Sequence, residues 1–264
     1  MFFQRLGPCV MVKNQGKYYL MKQHYIRPIA LARGVRKKGS FKYRMIDAEE
    51  IFTSCYVWYI EGAKPNILVD AGETAEMFRK RGRVEEHIQS LDEGLGKVGL
   101  KPEDINIVIL THLHSDHVAL ASRYTKARFI VQKAEIDFAL NPHPLAAGSY
   151  HVEQFNDLNF DVISGDKEIT DGVSVLLTPG HTPGGQSVAV STPAGTAIIT
   201  GFCCLQDNFD PPKGGRDTSY EVVPPGYSLN ALDAYDSLVK VKRCADIVVA
   251  IHDIMFQQHS RIPA

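Results

Sequence analysis

Nowhere in the sequence is there an apolar run of the ~18 to 20 residues that a membrane-spanning helix needs, and the opening MFFQRLGPCV lacks the basic-then-apolar-then-small order of a secretory leader. A cytoplasmic protein with no membrane partner is the expectation. Cysteine is scarce and odd in number: Cys9, Cys55, Cys203, Cys204 and Cys244 argue for reduced thiols rather than a disulfide framework. Only the adjacent pair Cys203 and Cys204 raises a functional question, and neighbouring cysteines rarely form an unstrained disulfide. Acidic residues are missing altogether before Asp47, while eleven Lys or Arg lie between Arg5 and Arg44, so the first 46 residues carry +11 and the rest of the chain −12. Such a split suits contact with nucleic acid, a membrane surface or an anionic substrate, or a basic arm lying on its own acidic body or on a second subunit. Only Arg36, Lys37 and Lys38 cluster tightly, which favours the arm and makes nucleic acid a poor partner; a homodimer through this arm is the corresponding assembly.

What is present is the composition of a globular protein: 44% hydrophobic and 22% charged over 264 residues, which excludes disordered and collagen-like classes. PCVMVK and KYYLMK, joined by Asn14, Gln15 and Gly16, predict a hairpin. Residues 23–46, polar and basic with Pro28, Gly34 and Gly39, predict a long loop excursion within a single domain spanning 1–264. TSCYVWYIEG and NILVDAG predict a second hairpin, and Thr74 to Val98 a charged helix stopped by Gly99 and Pro102. INIVIL is a short unbroken apolar run of the kind a buried central strand shows, and it leads straight into THLHSDH. A short helix near 118–124, the strand RFIVQ, a helix from Lys133 to Leu140, the strand GVSVLL, a hairpin closed around Pro193 to Gly195, a helix from Ser228 to Cys244 and the final strand in ADIVVAIHD complete the pattern.

Three strand-like segments thus end in histidine: THLHSDH, TPGHTPG and AIHD. In the first, His112 and His114 at i and i+2 project to one side of an extended segment, and Asp116 and His117 follow on the turn. Neutral imidazole and carboxylate suit Zn²⁺ and also admit iron or manganese. Three histidines and an aspartate within six residues at the end of an apolar strand point to metal, whereas His24, His87, His143, His151 and His259 stand alone and read as ordinary residues.

His112, His114, Asp116 and His117 match the HxHxDH signature of the metallo-β-lactamase superfamily, with ILVDAG before it and TPGHTPG around His181 and the terminal His252 in the expected order. The resemblance covers nearly the whole chain and implies a four-layer αββα sandwich with two divalent metal ions at one edge of its paired sheets. It assigns His112, His114 and His181 to the first metal, and Asp116, His117 and His252 to the second. Motif spacing, RFIVQKAEIDFAL and the DNF after Cys204 resemble most the N-acyl homoserine lactone hydrolases. The implied activity is that of a metallo-hydrolase opening the ester of a small-molecule lactone with a metal-bound hydroxide, with Asp116 as the catalytic residue that orients the water and passes its proton to the leaving alkoxide. A thioester hydrolase similar to glyoxalase II, or a phosphodiesterase, would use the same site.

The sequence departs from the family in two places. Where the family has an aspartate bridging both metals, Phe202 stands after Gly201; a shift by one residue puts Cys203 there, a thiol whose anion is a good zinc ligand. Where these lactonases have a tyrosine that assists the carbonyl, Leu205 and Gln206 are found, so either another residue, Tyr220 or Tyr227, enters the site or the substrate differs. A degenerate, non-catalytic binding module is the reading that the missing aspartate leaves open. An apolar wall for an acyl chain is sought among Phe2, Phe3, Tyr25, Ile26, Phe41 and Phe209.

Overall fold

The computed structural model describes residues 22–44, 48–211 and 220–264, together with the backbone of three short strands between residues 4 and 20. The chain begins with β1 (Gln4–Leu6), β2 (Cys9–Asn14) and β3 (Lys17–Leu20), continues through β4 (Tyr25–Lys37), β5 (Glu50–Glu61), β6 (Ile67–Val69), α1 (Ala75–Lys80), β7 (Glu85–His87) and α2 (Leu91–Gly96), and reaches β8 (Ile107–Ile109). After it come α3 (Ser115–Val118), β9 (Arg128–Gln132), α4 (Lys133–Leu140), β10 (Phe160–Ile163), β11 (Lys167–Thr170), β12 (Val173–Leu177), β13 (Gln186–Thr192), β14 (Gly195–Ile199), α5 (Ala231–Cys244) and β15 (Ile247–Val249). A seven-stranded sheet has the order β10-β9-β8-β6-β5-β4-β7, a five-stranded sheet runs β11 to β15 in sequence order, and β1 to β3 form a small sheet of their own.

Period-two alternation places the layers. On β5, Tyr56, Trp58 and Ile60 point into the cluster that also holds Val188, Val190, Ile199 and Val249 of the second sheet. Val57 and Tyr59 point the other way, into a cluster with Leu91 and Leu95 of α2 and Ala139 of α4. The same split recurs on β8, where Ile107 and Ile109 face the second sheet and Val108 faces outward. A register slip of one residue would exchange these faces, so both apolar sets together fix the pairing. Leu238 and Val241 bring α5 against the second sheet, which completes an αββα sandwich.

The amino-terminal hairpin is found: β2 and β3 pair antiparallel from Met11 with Leu20 to Asn14 with Lys17, while Gln15 and Gly16 of its turn lie outside the described residues. The expected loop excursion over 23–46 is corrected. Most of it is β4, a 13-residue strand paired with β5 along nearly its full length. Its basic residues are matched by acids on the adjoining segments: Arg27 with Glu61, Arg33 with Glu86, Arg36 with Glu85, Lys37 with Glu50 and Lys38 with Glu49. The basic stretch lies on its own acidic body, as a strand. Pro28 is tolerated because it falls between the β7 pairing at Ala32 to Gly34 and the bridge of Ile26 to Ile262, so its missing N–H breaks neither.

The single helix expected from Thr74 to Val98 is also corrected. The chain leaves α1 at Gly82, whose φ of +78° is a left-handed turn, and pairs as β7 before Ser90 restarts a helix. Ser90 and Glu93 form a reciprocal capping box that satisfies the first free N–H groups of α2.

Candidate metal centre

Every histidine of the three motifs lies just beyond a strand, where backbone regularity ends and a side chain can be aimed inward. Beyond β8, His112 is fully buried and His114 is the extended residue preceding α3, whose first turn carries Asp116 and His117. His181 follows β12 and His252 follows β15. The His181 loop lies against two helices because glycines let it: a Cβ on Gly180, at φ +125°, would meet the backbone N of Ala234 at 2.2 Å, and one on Gly184 the backbone N of Glu135 at 2.1 Å.

These ends converge as two groups. His112, His114 and His181 present ligand atoms that all lie within 4.8 Å of one another, and so do Asp116, His117 and His252. The groups adjoin through the rings of His112 and His117, 4.0 Å apart at their centroids. Asp116 Oδ2 is 3.4 Å from His117 Nε2 and 3.8 Å from His252 Nε2.

The outer nitrogens are already committed. His117 Nδ1–H donates to Asp70 Oδ2 at 2.7 Å, His252 Nδ1–H to the Ser54 carbonyl at 3.1 Å, and His181 Nδ1–H to the Tyr227 carbonyl. This fixes the tautomer and turns each Nε2 lone pair inward. The buried Nε2 atoms of His112 and His117 have no hydrogen-bond partner. Buried polar atoms are seldom orphaned, and one such nitrogen in each three-ligand group fits a divalent cation in each. Burial, followed by the charges of the neighbouring imidazoles, pushes His112 and His114 well below the ordinary histidine range. Burial likewise lowers His181 and His252 to about 4, so these four rings are neutral at pH 7. At His117 burial also acts downward, but the charges of Asp116 and Asp70, with the hydrogen bond to Asp70, overcome it and raise the ring to about 10, so a cation bound at Nε2 would displace a proton from this ring. Burial would raise Asp116, yet the charges of His117, His252 and His112 hold its carboxyl well below the usual range.

Two buried carboxylates escaped the sequence reading. Asp70, at the end of β6, sits at φ +61°, uncommon for a non-glycine residue. That conformation is held by three bonds at once: its oxygens accept from Thr111 N at 2.7 Å, from Thr111 Oγ1 at 3.0 Å and from His117 Nδ1. Glu135, at the start of α4, accepts from Leu113 N at 3.0 Å and Gly184 N at 3.2 Å, joining the loop of His112 and His114 to that of His181. Asp70 stands in the quoted ILVDAG as an acid ending an apolar strand, which is the one signal it gives.

Cys203 lines the same cavity but belongs to neither ligand group. The chain turn after β14 buries Phe202 against Phe209 and directs Cys204 toward Thr200 Oγ1 at 3.2 Å, leaving Cys203 on the wall. Burial and the Asp116 charge push the Cys203 thiol up. A second thiol, Cys55, donates to the Asp116 carbonyl at 3.3 Å. Tyr227 borders the cavity; Tyr220 packs against Tyr235 away from it. Of the aromatic and aliphatic residues considered for an acyl wall, Phe41 lines the cavity, Ile26 and Phe209 are core, Tyr25 lies under Arg261, and Phe2 and Phe3 fall outside the described residues.

Among the described residues no helix is long and apolar enough to cross a membrane. The model of the metallo-beta-lactamase superfamily matches residues 51–201. The N-acyl homoserine lactonase of Bacillus cereus is 31% identical over 172 residues, which are 62% of this chain and 60% of that protein. The N-acyl homoserine lactonase of Bacillus thuringiensis is 30% identical over 178 residues, 64% of each chain. The match thus spans less than two thirds of the length of these relatives. A solved N-acyl homoserine lactone hydrolase with N-hexanoyl-L-homoserine at its catalytic metal centre superposes with a TM-score of 0.69 at 25% identity, over 90% of this chain and 96% of that one. A quorum-quenching N-acyl homoserine lactone lactonase gives 0.71 at 24% identity over the same shares, which speaks for the fold. With a family match over more than half of its length and a sandwich that brings the six motif residues together, this chain belongs to the metallo-β-lactamase superfamily.

Proposed function

We propose that the protein is a metal-dependent hydrolase that opens the ester bond of a lactone, of the N-acyl homoserine lactone type, and that His112, His114 and His181 hold one divalent ion and Asp116, His117 and His252 a second. The observation that carries the reading is the pair of adjoining three-ligand groups with inward Nε2 atoms. Zinc is the ion best suited to five imidazoles and one carboxylate. When bound, two such ions lower the pKa of water towards 7 and polarise a carbonyl.

The chain's own residues do the remainder. Asp116 keeps Oδ2 toward His117 and His252, and its Oδ1 takes the proton of the attacking water and returns it to the departing alkoxide. Asp70 keeps the proton on His117 Nδ1, so that Nε2 stays a lone-pair donor. Glu135 keeps the two loops of the first group in register. The site opens into a cavity of about 490 Å³, within the range for a small-molecule ligand.

Proton release on mixing metal-loaded protein with a panel of acyl homoserine lactones and one thioester tests the reading, with a chelated sample alongside. Lactone turnover abolished by chelation is the expected result; turnover of the thioester alone, or of neither, overturns it. Asp70→Asn should lower metal affinity about 10- to 100-fold, measured by competition with a chromophoric chelator. An unchanged affinity would remove Asp70 from the support of His117.

A further inference from the structure

One wall of the cavity carries three arginines, Arg36, Arg81 and Arg83, a composition that a neutral acyl chain does not call for. Two are held by buried acids. Arg81 forms a forked pair with Glu73, which is 0% exposed, and lies over the Phe78 ring at 5.3 Å. Arg36 pairs with Glu85, 3% exposed, and donates to its neighbour's carbonyl at Val35. These pairs neutralise charge but leave guanidinium N–H groups uncommitted, since each arginine has five.

Arg83 is different: no carboxylate lies within ion-pair distance of it among the described residues, although it borders the same cavity. It is also held in place. Its backbone N and that of Arg81 both donate to the Phe78 carbonyl, at 3.1 and 3.0 Å, and Arg79 clamps the Glu85 carbonyl with two side-chain N–H groups at 3.2 and 3.1 Å. Arg36, Arg83, Cys203 and Asp116 all line this one cavity.

We infer that this wall is an anion-recognising subsite centred on Arg83, and that the substrate carries, away from its scissile ester, a carboxylate or phosphate group. The planar, permanently charged guanidinium takes either oxyanion in a forked geometry. The inference rests on the hydrolase reading above and narrows its substrate class.

Three acyl lactones sharing one ring and one chain length, ending in a methyl ester, a free carboxylate or a phosphate, separate the possibilities on the metal-loaded enzyme. An oxyanion-terminated lactone should exceed the methyl ester about tenfold or more in kcat/KM, and the larger of the two ratios names the oxyanion. Arg83→Glu, a change at an exposed position whose fold is checked by circular dichroism, should bring that ratio to one or below and favour an amine-terminated homologue. A ratio near one in the unaltered enzyme, or a ratio that survives Arg83→Glu, overturns the subsite. Calorimetric titration with the three ring-opened products gives the same comparison without turnover: if no lactone is hydrolysed the hydrolase reading fails, while product affinities still decide the subsite.

Discussion

His112→Ala is expected to abolish hydrolysis, with a fall in kcat/KM of about a thousandfold or more, and to leave the protein unable to retain its full complement of metal. His112 is fully buried and its ring centroid lies 4.6, 4.8 and 4.0 Å from those of His114, His181 and His117. Alanine removes one of three donors from the first group, and Lewis-acid stabilisation is worth several kcal/mol to the transition state, where each 1.36 kcal/mol is about tenfold in rate. The fold is expected to survive, because the ring's Nε2 has no internal partner and its Nδ1 meets only the adjacent Thr111 Oγ1, at 3.1 Å, which Asp70 also binds. Metal content after gel filtration and ester turnover are the two measurements, with circular dichroism as the control. A folded variant with two ions and unimpaired turnover would remove His112 from the site.

Asp116→Asn should lower kcat by about 10²- to 10⁴-fold, the range for losing a positioned acid–base group, with little change in KM. Asparagine keeps the shape and one oxygen but cannot take up and return a proton. Its neutrality also takes one of the two negative charges from beside His117, leaving Asp70 to orient that ring. The first group does not include Asp116, so metal bound there should persist. Steady-state kinetics with metal analysis on the same preparation separates the effects: an undiminished kcat would mean that the proton travels by another group.

The ligand set was legible because its signal is local. Four of the six residues lie within THLHSDH, and each of the others ends an apolar strand, so a reader needs only the strand pattern to bring them to one edge. Asp70 was not legible, because what it does depends on Thr111 and His117, which lie far along the chain and meet it only when β6 and β8 pair in parallel. Strand β4 was misread for a different reason. Its proline, its glycine and its positive charges are loop-like taken singly, and the charges become strand-compatible through acidic partners that other segments supply. The helix assigned across residues 74–98 failed at Gly82, where a left-handed turn outweighed a favourable run of charged helix formers. At Phe202 and Cys203 the sequence identified a departure from the family, and the chain direction after β14 decided its form: phenylalanine to the core, one thiol to the wall, the other inward.

The placement of the six ligands along the chain also orders the making of the site. A growing chain is synthesised from its amino terminus, and segments begin to fold as they emerge. All donors of the first group have been made once His181 is in place, whereas the second group waits for His252, which follows β15, the last strand to join its sheet. The two centres are therefore unequal in birth order: the first has all its donors once His181 is made and the second only with His252, so a product cut short before β15 carries the three donors of the first centre and only Asp116 and His117 of the second.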